Sequence, residues 1–533
     1  TFPADVKEGE NTLEFLLSKG WYMGTFGLEG QSENYGDRMA AIGELYLEYE
    51  DGTAECIFTD GTWQYRGSDI EESGIYFGEI LNRLLWDGKE NPWKDVEVLA
   101  DPEKDPGTKN LVKSHLMDRL SLPVIVKEEV DVKEIIHTPA GETVLDMGQN
   151  FAGVMEFRSQ LSRGAKVTLN FGEILQNGNF YNGNYREAES QLVYVSDGTP
   201  ETVHPHFTFY GFRYVKVTGW EGELRKEDFT GKVLYSDLQR TGYIHTSNEK
   251  INHLYENTVW GMKSNFLDMP TDCPQRNERL GWTGDAQVFS PTASYHMDTR
   301  AFFHKFVKDL RDEQKFLDGA IPNYVPNIGH KDDAGSVWGD IGTFLPYTLY
   351  RYYGSLEELK YCYPMMKDWV DYIDRKDGER GERHYLFDFG FHFGDWLALD
   401  GPTQESFKGS TDDTYIASMY YCQSVKIVKE AAQKLGKTED AVRFADLEER
   451  IRDAILREYF TPNGRLAMST QASYVIALKF GIYIDRERTV SEFRERLKKD
   501  GNQIKCGFVG APLLCTVLAE AGLYELAYDL LLR

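Results

Sequence analysis

Chemistry-bearing side chains are concentrated between Asp272 and Asp285, where the chain reads Asp-Cys-Pro-Gln-Arg-Asn-Glu-Arg-Leu-Gly-Trp-Thr-Gly-Asp. Three carboxylates (Asp272, Glu278, Asp285), two arginines (Arg276, Arg279) and Trp282 fall within fourteen residues, punctuated by Pro274, Gly281 and Gly284. A solvated charge run has no use for the tryptophan, and an apolar core does not tolerate the charges. The mixture suits a pocket for a polar ligand with an apolar face, and a sugar ring is such a ligand.

Carboxylates in that setting point to glycoside hydrolysis. One carboxyl group protonates the leaving oxygen and the other activates water, at about 6.5–9.5 Å apart when the anomeric centre inverts. The acid must hold a proton near neutral pH, which burial or neighbouring negative charge promotes. Glu278 is the candidate acid. Asp272 and Asp285 flank it and favour its protonated form, whereas Arg276 and Arg279 oppose this if they point inward. An arginine can instead grip a sugar hydroxyl or hold a carboxylate in place. Trp282 is placed to pack on the sugar or to shield Glu278 from water.

Plainer roles compete for each residue. Asp285 precedes an apolar helical start and is a candidate N-cap. Asp272, followed by Cys-Pro, fits a turn. A lone loop glutamate is ordinarily solvated. The cluster as a whole argues against the plain roles, because its combination is rare over so short a span.

The elements around this stretch are legible. Pro274, Gly281 and Gly284 make it a loop, between a helix ending near Phe266 and another beginning near Asp285. Roughly the first 235 residues read as β-structure. Val167–Phe171 and Phe212–Val217 alternate in the strand manner, and Asp51-Gly52, Asp60-Gly61 and Asn177-Gly178 mark turns. The polar, proline-rich Asp101–Gly107 and the residues to about 122 divide this part into two β-sandwiches, residues 1–110 (read as partial) and 123–240. From about Ser247 the period becomes 3.6. Ile251, Leu254, Tyr255, Thr258 and Met262 share one face, as do Phe303, Phe306 and Leu310, and Ile416, Met419, Tyr420 and Ile427. Thr438 reads as an N-cap, with Glu439 and Asp440 in the first turn. Ten or eleven helices without internal repeats, over residues 245–533, favour an (α/α)6 barrel over a solenoid.

Bulk composition narrows the partners. The chain has 533 residues, 41% hydrophobic, with 32 Tyr, 30 Phe and 10 Trp. Rings stack on sugar C–H faces and also fill large cores. A net charge of −27 disfavours nucleic acid and anionic membrane surfaces as partners. No run is long and apolar enough to span a bilayer. Six scattered cysteines form no C-x-x-C pair, which argues against a zinc site and for reduced thiols in a cytoplasmic setting.

The Asp272–Asp285 segment resembles the active-site signature of the inverting α-L-rhamnosidases of glycoside hydrolase family seventy-eight. The resemblance extends to Asn265–Thr271, Val337-Trp338-Gly339-Asp340, Phe393–Ala398, Leu145–Gly153, Tyr210–Tyr214 and Gly507–Gly510. It implies a multidomain protein with N-terminal β-sandwich domains followed by an (α/α)6 barrel. Glu278 is then the general acid, Asp272, Arg276 and Asp285 hold sugar hydroxyls or tune the acid, and Trp338 and Trp396 line a rhamnose subsite suited to the C5 methyl. Asp332, Asp333 and Asp340 are weaker pocket candidates. For the tryptophans core packing is the alternative, and for Asp332 and Asp333 a solvated loop. Rhamnose-containing glycosides or oligosaccharides are the implied partners, and two-carboxylate hydrolysis needs neither metal nor organic cofactor.

Two departures are visible. The chain starts at Thr1 and stops in the apolar run Leu530–Arg533, which reads as cut at both ends. The block carrying the family's general base has no counterpart here, so the base is expected beyond Arg533. The competing readings are a glycosidase of the same architecture for another sugar, and a carbohydrate-binding protein without turnover.

Overall fold

The structure is a computed structural model that describes residues 6–28, 30–87, 91–99, 117–328 and 334–532. Asp332 and Asp333 therefore lie outside the described residues. The chain divides into two compact units. The first comprises Thr1–Asp237, Thr258–Asp268 and Asp272–Arg279, and the second Leu238–Asn257, Met269–Thr271 and Leu280–Arg533.

The first unit is built on a ten-stranded sheet. Its path runs Ile70–Gly74, Gly78–Asn82, Gln191–Val195, Lys166–Gly172, Tyr210–Thr218, Thr143–Ser159, Phe229–Ser236 and Val124–Asp131. Two of these strands come from before the polar break at 101–122. Gly78–Asn82 pairs in parallel with Gln191–Val195, and the other pairs are antiparallel. Gly78, at φ 110°, is required there, because a Cβ would lie 1.8 Å from the Gln191 carbonyl oxygen. Before Ile70 the described residues give only two-stranded pairings and one short helix.

The alternation seen in sequence becomes the sheet core. Val167, Leu169 and Phe171 are fully buried, while Thr168 and Asn170 between them are part-exposed. In Tyr210–Thr218 the buried positions are Tyr210, Gly211, Phe212, Val215 and Val217, with a step of three between Phe212 and Val215. The register shift between Phe212 and Tyr214 breaks the simple alternation that the sequence shows. Phe171 stacks on Tyr210 at 3.8 Å, and Phe212 meets Phe151 at 4.6 Å and Phe171 at 4.8 Å. Asn177 and Gly178 both take positive φ and close the Ile174–Gln176/Asn179–Tyr181 hairpin.

The second unit is helical, and its helices alternate in burial. Thr283–His296 packs on Ile341–Tyr353, which packs on Asp413–Lys434, then Gln471–Phe480, then Ala511–Glu520. This inner series is buried on most sides: Tyr415, Ile416, Ala417, Ser418 and Met419 are consecutive and all inside. The intervening helices Arg300–Phe316, Leu356–Glu379, Thr438–Tyr459, Arg486–Lys499 and Tyr524–Leu531 each lean on inner ones. They show the single stripe of an outer helix, as with Phe302, Phe303, Phe306, Val307 and Leu310. Inner and outer helices in alternation are the (α/α)6 arrangement, with eleven helices from Glu249 on among the described residues. In Glu249–Asn265, Leu254 is exposed and Val259 takes its place in the buried stripe. Thr438 is the first helical residue and makes no cap bond. Among the described residues no helix is long and apolar enough to cross a membrane.

Truncating Phe212 to alanine removes a fully buried ring from the sheet core, so Phe212→Ala is expected to cost about 3–5 kcal/mol. Urea denaturation followed by far-UV circular dichroism measures it, and an unchanged midpoint would remove Phe212 from the core.

Candidate active site

The signature is divided between the units. Asp272–Arg279 belongs with the sheet unit, and Leu280 onward belongs with the helical unit. In the first part Glu278 is buried, and its Oε2 receives Arg276 Nε at 2.9 Å and Arg186 Nη1 at 3.0 Å. Arg276 Nη2 also donates to Asp272 Oδ2 at 3.0 Å, so one guanidinium bridges the two carboxylates. Of the two signature arginines, Arg276 thus points inward at the acid.

Arg279 does not. It sits at φ 50°, is 1% exposed, and donates to the carbonyls of Ile75 (3.0 Å), Phe209 (2.8 Å), Gln275 (3.0 Å) and Arg276 (3.3 Å). Burial pulls its guanidinium below the ordinary value, and the rings of Tyr76 and Phe209 cover it at 5.6 and 4.8 Å. The Tyr76 hydroxyl donates to the Glu278 carbonyl at 2.6 Å and accepts from the Gly27 N–H at 2.8 Å. Gly211 lets the loop approach the sheet, since a Cβ there would meet Pro274 Cγ at 2.8 Å. The candidate acid is therefore carried on a loop that the β-unit holds by its backbone.

Asp272, Cys273 and Glu278 bring their ligand-type atoms within 4.8 Å of one another. Arg276 already bridges the two carboxylates, and burial pushes the Cys273 thiol well up, so this donor set suits a guanidinium better than a metal ion. In a second group, Asp377 accepts from the backbone N–H of His384 and Tyr385, and Asp388 pairs with Arg380 and His384. It too is satisfied by the protein.

In the helical unit the signature continues into aromatic chemistry. Trp282 meets Tyr324 at 5.1 Å and Phe393 at 5.9 Å. Phe393 also meets Trp338 at 4.2 Å and Trp396 at 5.5 Å. One ring, Phe393, thus joins the three expected tryptophans. Trp282 and Trp396 keep exposed edges, whereas Trp338 is 2% exposed. Phe508 stacks on Trp338 at 5.4 Å, and Gly284 lies against the ring, where a Cβ would come within 2.5 Å of it. Trp338 is accordingly the inner member of the cluster, packed between Phe393, Phe508 and Gly284.

Asp285 is the third residue of Thr283–His296, part-exposed in its first turn. The N-cap position is Trp282, so the N-cap expectation for Asp285 is not met. Asp340 is corrected more strongly. It is fully buried, Oδ1 accepts from Trp369 Nε1 (2.9 Å) and Ser424 Oγ (2.7 Å), and Oδ2 accepts from Ser336 Oγ (2.9 Å) and the Val337 N–H (2.8 Å). Burial raises its pKa against these four donors, and no oxygen is left for a sugar. It braces the segment that carries Trp338.

Three contributors escaped the sequence reading. Asp395 lies inside the block quoted for Trp396. Its buried carboxylate accepts from the N–H groups of Gly507 (2.8 Å), Val509 (2.9 Å) and Gly510 (3.2 Å), which fixes the loop bearing Phe508. Phe393 lies in the same block. Arg186 lies in no motif, and its residue type alone gives no signal.

The family models that match are the bacterial alpha-L-rhamnosidase six-hairpin glycosidase domain over residues 239–533, the concanavalin-like domain over 136–235 and the N-terminal domain over 3–128. The chain belongs to the bacterial α-L-rhamnosidase family. An alpha-L-rhamnosidase of Streptomyces avermitilis is 33% identical over 99% of this chain and 50% of its own length, and one of Formosa agariphila is 32% identical over 99% and 56%. The solved alfa-L-rhamnosidase of Aspergillus terreus superposes with a TM-score of 0.88 at 30% identity, over 96% of this chain and 60% of that one. A Streptomyces avermitilis alpha-L-rhamnosidase solved with L-rhamnose gives 0.86 at 32% identity, over 96% and 48%. The chain spans about half the length of the curated relatives it matches.

Asp340→Asn turns an NH₂ toward a site lined by donors, and is expected to lower stability by about 1–3 kcal/mol. Thermal unfolding and rhamnose affinity, measured together, separate the roles: lost affinity at unchanged stability would return Asp340 to the sugar site.

Proposed function

We propose that the protein releases terminal α-L-rhamnose from glycosides or oligosaccharides with inversion, and that Glu278 is the general acid. The observation that supports this reading is the buried Glu278 carboxyl on the signature loop of a chain of this family; the two guanidinia at its Oε2 orient it and do not themselves favour its proton. As general acid, Glu278 enters the reaction carrying a proton. That proton passes to the glycosidic oxygen as the bond to the anomeric carbon breaks, and water enters from the opposite face. Arg276 ties Asp272 to the acid and keeps the acid's orientation, the kind of support that makes proton transfer efficient. Within the helical unit, Trp282 and Trp396, joined through Phe393, form a half-covered aromatic surface of the kind that takes a methyl group and a sugar's C–H face. The water-activating carboxylate is assigned to sequence beyond Arg533, and no acid of the present chain is nominated for it.

Hydrolysis of 4-nitrophenyl and methyl α-L-rhamnosides tests the reading in this chain and in the full-length protein. Glu278→Gln is expected to lower turnover of the methyl glycoside about 10²–10⁴-fold while sparing L-rhamnose binding by calorimetry. Full activity in that variant would refute the acid. Turnover by the full-length protein alone fits a base outside residues 1–533, and turnover by this chain contradicts that placement.

Proton NMR of the first sugar released distinguishes the stereochemical course. Inversion delivers the β-anomer before mutarotation, and initial appearance of the α-anomer would exclude it.

A further inference from the structure

The segment Tyr181–Ala188 of the β-unit lies outside every motif described above. Its tip is a β-turn, closed by the Ala188 N–H donating to the Tyr185 carbonyl at 3.1 Å. Between them Arg186 takes φ 58°, ψ −116°. Those are the angles of the first central residue of a type II′ turn, a position that glycine ordinarily fills because a Cβ is strained there. Backbone strain of this kind persists where the surroundings hold it, and often where function uses it. Here the base of the turn is held by Tyr185, which is fully buried with its hydroxyl on the Gly211 carbonyl. The Arg186 side chain is half-exposed and reaches Glu278 Oε2 at 3.0 Å, the oxygen that Arg276 Nε also touches.

Resting on the reading of Glu278 as the acid, we propose that Arg186 is a positioning residue for proton delivery to the leaving group, contributed by the β-unit. In the step it serves, the O–H bond of Glu278 breaks and the proton goes to the glycosidic oxygen. The bond from that oxygen to the anomeric carbon breaks with its electron pair leaving on oxygen. Water bonds to the carbon and gives its own proton to the base. Glu278 thereby acquires one negative charge, facing a guanidinium already in place. The attraction grows as the proton leaves, so it is stronger in the transition state than in the ground state, which is the condition for acceleration. A leaving group that departs without a proton draws nothing from it. A glycine in the turn would relieve the strain and lose this group, whereas arginine keeps the group and carries the strain.

The test uses the full-length protein as wild type, Arg186→Gly, Arg186→Lys and Glu278→Gln. For each, kcat/KM is measured on methyl α-L-rhamnoside, whose leaving group needs a proton, and on 2,4-dinitrophenyl α-L-rhamnoside, whose leaving group does not. Glycine suits the turn, so Arg186→Gly is expected to melt within a few degrees of wild type. It is expected to lose about tenfold to a hundredfold on the methyl glycoside and less than about threefold on the dinitrophenyl one, with Arg186→Lys recovering part of the loss. Equal losses on both substrates, or full activity of Arg186→Gly on the methyl glycoside, overturn the proposal. If Glu278→Gln itself hydrolyses the methyl glycoside normally, the acid assignment fails, whatever the Arg186 variants do.

Discussion

A fully buried guanidinium organises the catalytic loop. Arg279 donates to carbonyls at Ile75, Phe209, Gln275 and Arg276, two of them in the body of the β-unit and two in the loop itself. Burying a cation without a carboxylate partner carries a desolvation penalty unless every donor finds an acceptor. Four carbonyls answer its five N–H groups, and they assemble only when the loop and both sheet segments are in place together. Packing and hydrogen bonding are thus satisfied or lost jointly, and the position of Glu278, one residue earlier, follows from the backbone rather than from its own side chain.

The two arginines of the signature perform opposite work. Arg276 spends its donors on carboxylates and so acts on charge, while Arg279 spends its donors on carbonyls and so acts on shape. A planar fork with five donors serves either purpose, whereas a lysine ammonium does not span such separated acceptors. Within the helical unit the same economy recurs in a different form. Asp340 and Asp395 are buried carboxylates that receive only donors from the protein, and each secures a segment carrying an aromatic ring, Trp338 in one case and Phe508 in the other.

Much of this is legible in the amino-acid sequence. Period-two alternation at Val167–Phe171 marks a core strand, the stripe Phe303, Phe306 and Leu310 marks an outer helix, and the density of acids and arginines marks the acid loop. What escapes does so for physical reasons. Arg276 and Arg279 stand three apart in a loop with no period to orient them, so residue type cannot say which faces the acid. Asp340 follows a tryptophan and a glycine and reads as a pocket acid, but its donors Trp369 and Ser424 arrive from helices 29 and 84 residues away. Arg186 contacts Glu278 across 92 residues, and its positive φ contradicts the usual preference of its residue type. Long-range satisfaction of donors leaves no local trace.

The attachment of the acid loop to distant strands also orders assembly in time. Ile75, Tyr76, Arg186 and Phe209 all precede the loop in the chain, by up to 204 residues in the case of the Arg279–Ile75 bond. Domains generally fold as units from the N-terminus during synthesis. The receiving carbonyls are therefore made well before the guanidinium that fills them leaves the ribosome. The loop is then the last part of its unit to be synthesised.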